Sequence, residues 1–151
     1  MIMTAELVDP SKLKTLAEFR FQLRKFLNFS EMATERRGVA AQQYQLMQVI
    51  AAMPDGQQAS ISYLAERMVL RHNSTVELVD RAERAGLVRR EHDESDLRRS
   101  LVRLTPHGEE VLNELVIEHL CELGPRCEYL IRSLQNLQDS DTILQADSEI
   151  R

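Results

Sequence analysis

Nine arginines and no lysine fall between residues 60 and 105: Arg67, Arg71, Arg81, Arg84, Arg89, Arg90, Arg98, Arg99 and Arg103. A guanidinium presents a planar fork of donors that matches a phosphate or a guanine edge in bidentate fashion, so this choice of cation suits such recognition. Eight acids share the segment, which leaves it at +1 within a chain of net charge −5. The rest of the chain therefore stands at −6. Distribution matters more than the total, and charge alone leaves two readings open: an anion-binding face, or a solvated mixed-charge surface.

Other chemistry is sparse. Cys121 and Cys127 make no disulfide framework. A sensing thiol needs exposure and a lowered pKa. Cys121 lies among Leu120, Glu122 and Leu123, so packing is the expectation for both cysteines. Glu118, His119, Cys121 and Glu122 do not converge on a metal, because helix residues two apart face different ways and no zinc spacing is present. There is no phosphate loop, no Gly-x-Ser-x-Gly and no acid pair with a nucleophile. The chain thus reads as a non-enzyme without metal or cofactor. No apolar run is long enough to span a bilayer. Residues 1–11 lack the basic start and apolar block of a signal peptide, which makes a cytoplasmic location the expectation.

The elements that must hold the arginines follow from hydrophobic period. Residues 10–36 read as a long helix with Leu16, Phe19, Leu23, Phe26, Ser30 and Ala33 on one face, and Phe21, Phe29 and Met32 on a second. One face would meet the protein's own core and the other a partner chain. Residues 42–53 form a second helix with Leu46, Met47, Ile50 and Met53 inward. Gln57 to Ser60 suits a brief strand, and Ser60 or Ser62 caps a third helix carrying Leu64, Ala65 and Met68. Ser74-Thr75-Val76-Glu77 matches a capping box at the start of a fourth helix. That helix turns Thr75, Leu78, Val79 and Ala82 inward, turns Asn73, Glu77, Asp80, Arg81 and Arg84 outward, and stops at Gly86. Strands at 87–91 and 101–104 flank a charged loop. Thr105-Pro106 opens another helix, which Gly124-Pro125 breaks before a last helix at 128–137. An acidic tail, 139–151, is expected to fray.

Helix, turn, helix and arginine-tipped hairpin in this order make a winged helix-turn-helix, and the expected class is mostly α with a small β-wing (α+β). A duplex major groove about 12 Å wide admits one α-helix, with its N-terminal residues at base edges. A wing can reach the adjacent minor groove, where an arginine senses narrow, electronegative A·T-rich DNA.

Two stretches carry a family resemblance. Arg71-His72-Asn73-Ser74-Thr75-Val76-Glu77-Leu78-Val79-Asp80-Arg81 with Ala85-Gly86-Leu87-Val88-Arg89-Arg90 resembles the recognition helix and first wing strand of MarR-type regulators. Asp93-Glu94-Ser95-Asp96-Leu97-Arg98-Arg99-Ser100, ending in Leu104-Thr105-Pro106-His107-Gly108, resembles their wing and the start of the next helix. Gln42-Gln43-Tyr44, Leu64-Ala65-Glu66-Arg67 and the first long helix also fit, so the resemblance spans roughly residues 13–137. It implies a homodimer built by 10–36 and 105–138, with winged lobes at 37–104 that bind double-stranded DNA at an inverted-repeat operator. It also implies a repressor released by a small aromatic or phenolic effector. The alternative is a winged-helix protein–protein adaptor without DNA binding.

Carried over residue by residue, the resemblance puts Arg98 in the minor groove, Asp96 in an ion pair shaping Arg98, and Arg99 on a phosphate. It puts Asn73, Ser74, Thr75, Glu77 and Arg81 near bases or phosphates. Glu77 has a second reading, completion of the capping box, which needs no DNA and is the favoured one. Arg84 and Arg90 read equally well as surface ion-pair partners. Tyr44, Tyr63 and Phe26 could line an effector pocket, although core packing is the preferred reading. The sequence departs from the family at Leu97, where a basic residue is common, and at Ala40-Ala41, where Thr-Pro usually opens the second helix.

Overall fold

The computed structural model describes residues 9–139. Seven elements follow in chain order: α1 Pro10–Glu35, α2 Ala41–Ala51, α3 Ile61–Met68, α4 His72–Arg84, β1 Val88–His92, β2 Ser100–Leu104 and α5 Pro106–Gln138. The class is mostly α with a two-stranded wing, as the sequence predicts. The acidic-tail expectation falls on residues 140–151, outside the described residues. Among the described residues, no helix is long and apolar enough to cross a membrane.

The chain divides into two units. Ser30–His119 form one, and the segments up to Phe29 and from Leu120 form the other. Within Ser30–His119 the apolar faces of α2, α3 and α4 converge on the hairpin. Leu46, Met47, Leu64, Leu78, Val79, Val88, Val102 and Leu115 are sealed from solvent. Each such side chain contributes about 1.5–3 kcal/mol of apolar burial. β1 and β2 pair antiparallel with Val88 opposite Leu104 and His92 opposite Ser100. Ser60 adds an isolated bridge to Leu101, and Val102 N–H donates to the Ala59 carbonyl at 2.9 Å, so the brief strand predicted before α3 is a single bridge.

Helix ends in this unit follow local chemistry. The Ser60 hydroxyl accepts from Tyr63 N–H at 3.2 Å and caps α3. At α2 the N-cap residue Ala40 has no side chain to cap with, and Gln43 supplies only the reciprocal half of a capping box, its Oε1 accepting from Ala40 N–H at 3.1 Å. After α4, Leu87 N–H reaches the Ala82 carbonyl and Gly86 N–H the Glu83 carbonyl, with Gly86 at φ +73°. This Schellman closure needs a left-handed residue, and glycine adopts that conformation without a Cβ penalty. After α3 the same closure recurs, with Leu70 N–H on Ala65 and Val69 N–H on Glu66. Here the left-handed residue is Val69, at φ 54° and ψ 45°. A β-branched side chain in that region costs roughly 1–2 kcal/mol.

Two sequence expectations are corrected. The Ser74–Glu77 capping box does not form. α4 starts at His72 with Arg71 as an N-cap that makes no side-chain cap bond, so Ser74 already sits inside the first turn. Nor do Gly124-Pro125 end a helix, because α5 runs unbroken through Pro125. Proline removes the bond its own N–H would give to the Cys121 carbonyl and crowds that carbonyl, yet the helix continues past it.

The other unit inverts the usual pattern. Polar contacts run through it: Arg126 pairs with Glu122 at 2.5 Å and donates to Gln22 Oε1 at 3.2 Å, Gln22 donates to Glu18 at 3.1 Å, and Lys12 reaches the Asn136 carbonyl. Phe19, Phe26, Leu123 and Leu130 are half-buried, and many of its other large apolar side chains lie outside. Leu13, Leu16, Phe21, Leu23, Leu27, Leu120, Ile131 and Leu134 are 40–64 % exposed. Leu16, Leu23 and Phe21, drawn from both apolar faces of the first helix, are among them. Cys121 and Cys127 are exposed as well, which corrects their expected packing role.

Candidate nucleic-acid interface

α4 separates its residues as its wheel predicts. Thr75, Leu78, Val79 and Ala82 are buried. Asn73, Ser74, Glu77, Arg81 and Arg84 are exposed, and steps of four and three place Asn73, Glu77, Arg81 and Arg84 along one outward stripe. Thr75 is removed from the candidate contact set. It is fully buried, and its hydroxyl donates to the Arg71 carbonyl at 3.0 Å, so it fixes the first turn from within. Glu77 has lost its capping role and stands free on the outward stripe.

The wing tip, residues 93–99, is shaped by two aspartates. Asp93 Oδ1 accepts from the Ser95 hydroxyl at 2.6 Å and the Ser95 N–H at 2.9 Å. Its backbone N–H closes the hairpin on the Arg99 carbonyl at 3.1 Å. Asp93 is only 2 % exposed. The bonds from the Ser95 hydroxyl and N–H hold its carboxyl below the usual range, against the opposing effect of burial and with help from Arg99. Asp96 works differently from the expectation. Its Oδ1 accepts from the Arg98 backbone N–H at 3.0 Å, an Asx turn rather than an ion pair with the guanidinium. Arg98 is therefore presented by its backbone, with its side chain exposed. Arg99 lies 3.8 Å from Asp93 Oδ2 and is half exposed, so it already has a partner within the wing. The sequence reading missed Asp93; its offset of two from Ser95, the Asx-turn spacing, was the available signal.

The arginines sort into two groups. On the strands they are neutralised: Arg90 by Asp80 at 2.5 Å and Glu83 at 2.9 Å, Arg103 by Glu91 at 3.3 Å, and Arg89 also by Glu91. The register explains the shared acid, since Arg89 and Arg103 are paired opposite each other and Glu91 follows two residues along the same face. Arg67, Arg71, Arg81 and Arg98 have no acidic partner among the described residues. Arg84 donates to the Asp80 carbonyl at 3.3 Å and has no carboxylate, so the ion-pair reading holds for Arg90 and not for Arg84. Among the nine arginines of residues 60–105, those without a carboxylate partner thus lie on α3, at the start and along the outward face of α4, and at Arg98 of the wing tip.

Between the starts of α3 and α4 and the wing lies an open cleft of about 600 Å³. Ser60, Ser62, His72, Arg90, Arg98 and Arg99 line it. Free N–H groups at helix starts, hydroxyls and guanidinia suit a phosphate there.

Elsewhere in this unit, His119 is a core residue. Its ring nitrogens meet the Leu115 carbonyl at 2.6 Å and the Ser30 hydroxyl at 2.8 Å, and it stacks on Tyr44 with centroids 4.5 Å apart. Burial raises the Tyr44 phenol pKa. Tyr44 is core, while Tyr63 and Phe26 are half-buried. Among the described residues, no cluster of three His, Cys, Asp or Glu side chains could hold a metal.

Comparison with known proteins agrees with this geometry. A family model described as MarR family matches residues 37–99. The transcriptional regulator HosA of Escherichia coli O127:H6 is 44 % identical over 70 residues, covering 46 % of this chain and 50 % of that protein. The chain spans about half the length of the curated relatives it matches. Among solved structures, AbsC, a MarR family transcriptional regulator from Streptomyces coelicolor, superposes with a TM-score of 0.68 at 20 % identity, covering 97 % of this chain and 94 % of its own. A mutant of MepR from S. aureus, solved bound to an oligodeoxyribonucleotide, gives 0.56 at 18 % identity over 89 % and 96 %. At these identities the superpositions establish the fold.

Proposed function

We propose that the chain is a winged-helix transcriptional regulator of the MarR kind, whose family model matches residues 37–99, and that two copies of it bind double-stranded DNA at an inverted repeat and repress transcription. The observation that carries this reading is the sorting of the arginines. Within residues 60–105, strand arginines are paired within the fold, and the arginines left without acids are those that α3, α4 and Arg98 of the wing tip would bring to a duplex. The negative total is no obstacle, because binding depends on the local field. Asn73, Ser74, Glu77, Arg81 and Arg84 face the major groove in this reading, with Glu77 free to accept from cytosine N4. Arg98 enters the minor groove, Asp96 sets the Arg98 backbone, and Arg99 stands beside a phosphate.

The homodimer is supported by the inverted chemistry of residues 9–29 and 120–139, whose exposed leucines and isoleucine need cover. It would be built by 10–36 and 105–138, holding winged lobes at 37–104 about one helical turn apart on the DNA. Release by a small aromatic or phenolic effector follows from the family resemblance.

The test is a mobility-shift titration on the promoter upstream of the chain's own gene, with wild type and Arg98→Ala. Wild type should bind with an affinity that falls steeply with salt. The variant should bind about tenfold or more weakly and remain dimeric, one lost groove contact on each wing being worth at least 1.4 kcal/mol in total. Equal affinity would remove Arg98 from its role. Failure of wild type to bind any duplex would favour the adaptor reading.

A further inference from the structure

We propose that Leu97 is a specificity-determining residue, which reads the minor groove for the absence of the guanine amino group. The inference rests on the DNA-binding reading above and deepens it at the wing.

Leu97 is 79 % exposed at the tip of a loop whose backbone is fixed on both sides. Asp96 N–H donates to the Asp93 carbonyl at 3.3 Å, and Arg99 N–H to the Asp96 carbonyl at 2.9 Å. Asp93 Oδ1 is engaged by Ser95, its Oδ2 faces Arg99 at 3.8 Å, and Asp96 Oδ1 is engaged by the Arg98 backbone. A large apolar side chain held out on so ordered a tip does nothing for folding. Its neighbour Arg98 is exposed and has no acidic partner among the described residues. Leu97 and Arg98 are consecutive on one tight turn, so a wing tip inserted far enough to seat Arg98 in a groove would bring Leu97 to the mouth of that groove.

The minor groove is about 6 Å wide and its code is degenerate. A·T and T·A offer only acceptors, whereas G·C adds the N2 amino donor. Leucine neither donates nor accepts. Over A·T it covers sugar walls and an apolar floor. Over G·C it occupies the space of the amino group and buries a donor that nothing accepts, a cost larger than any bond it displaces. Arg98 favours the same A·T tracts by another route, the enhanced negative potential of a narrow groove. One preference is electrostatic and falls with salt; the other is apolar and does not. That difference separates them.

The experiment begins with selection of duplexes from a random library by the full wild-type chain. Base pairs flanking each selected half-site are then changed from A·T to G·C or to inosine·C, which lacks the amino group. Affinities of wild type, Leu97→Ala and Arg98→Ala are measured at about 50 and 200 mM salt. For wild type, flanking G·C should weaken binding about tenfold or more and inosine·C should restore most of it. For Leu97→Ala the G·C penalty should fall below about threefold with an unchanged salt slope, whereas Arg98→Ala should lower the slope. An unchanged melting temperature for Leu97→Ala checks folding. Selected flanks without A·T preference, no rescue by inosine, or a full G·C penalty in Leu97→Ala would each overturn the proposal and leave DNA binding standing. If wild type enriches no sequence, both fall together.

Discussion

Residues 30–119 and the helical segments 9–29 and 120–139 are built on opposite plans. The first unit buries most of its leucines and valines, Val69 and Leu97 being exposed, and turns most of its charges outward. The second spends Gln22, Glu122 and Arg126 on internal bonds and leaves Leu16, Leu23, Ile131 and Leu134 in solvent. Exposed apolar surface loses about 25 cal/mol per Å² relative to burial, so the second plan is stable only if something else covers that face. A winged lobe can be complete as one copy of the chain. In the proposed dimer, a second copy would supply the cover for the helical segments.

Leu78→Ala tests the first plan most severely. The side chain is 1 % exposed at the centre of α4, and truncation should cost about 2–5 kcal/mol in urea unfolding. A loss under 1 kcal/mol would mean the unit is not the sealed core described. The double variant Ile131→Glu with Leu134→Glu tests the second plan. It should raise the dimer dissociation constant by about a hundredfold or more in sedimentation while circular dichroism stays helical, since buried charge without a partner is penalised heavily. A change under threefold would leave that face without a partner in this account.

A smaller effect sharpens the contrast from the stable side. Val69→Gly relieves the left-handed valine after α3, and because the side chain is 89 % exposed little packing is lost. Unfolding free energy should rise by about 1 kcal/mol, offset in part by the greater entropy of glycine in the unfolded chain. Destabilisation would indicate a contact for Val69. The smallest effect concerns acid. The folded-state pKa of Asp93 is depressed, so its contribution to stability is present above the unfolded carboxylate value near 3.9 and is lost as pH falls through the folded value. The melting-temperature gap between wild type and Asp93→Asn should be constant from about pH 5 to 7 and narrow below about pH 4. A gap that widens on acidification would contradict the assigned bonds.

Much of the lobe was legible because its period is local. The inward set of α4, its stop at Gly86 and the Ser60 cap of α3 each follow from residues a few positions apart. The start of α4 was not, because Ser74-x-x-Glu77 satisfies a capping pattern equally well inside a first turn. For Thr75 the wheel and the resemblance disagree, one turning it inward and the other placing it near DNA, and its burial with a bond to the carbonyl four residues back decides for the wheel. Gly124-Pro125 looked like a stop because a proline signal carries no information about how strongly the flanking turns favour continuation. Asp93 looked like one more surface acid, and only the closed loop reveals its burial. The apolar faces of the long helices were visible in the sequence, but which of them the protein covers itself was not.

The central claim is that two copies, joined through the helical unit, present two winged lobes to one duplex. Sedimentation of the full chain with a single selected duplex, across a salt series, measures this directly. The account predicts two chains per duplex at every salt concentration where complex survives, with log affinity falling linearly in log salt. One chain per duplex, or a complex indifferent to salt, would contradict it.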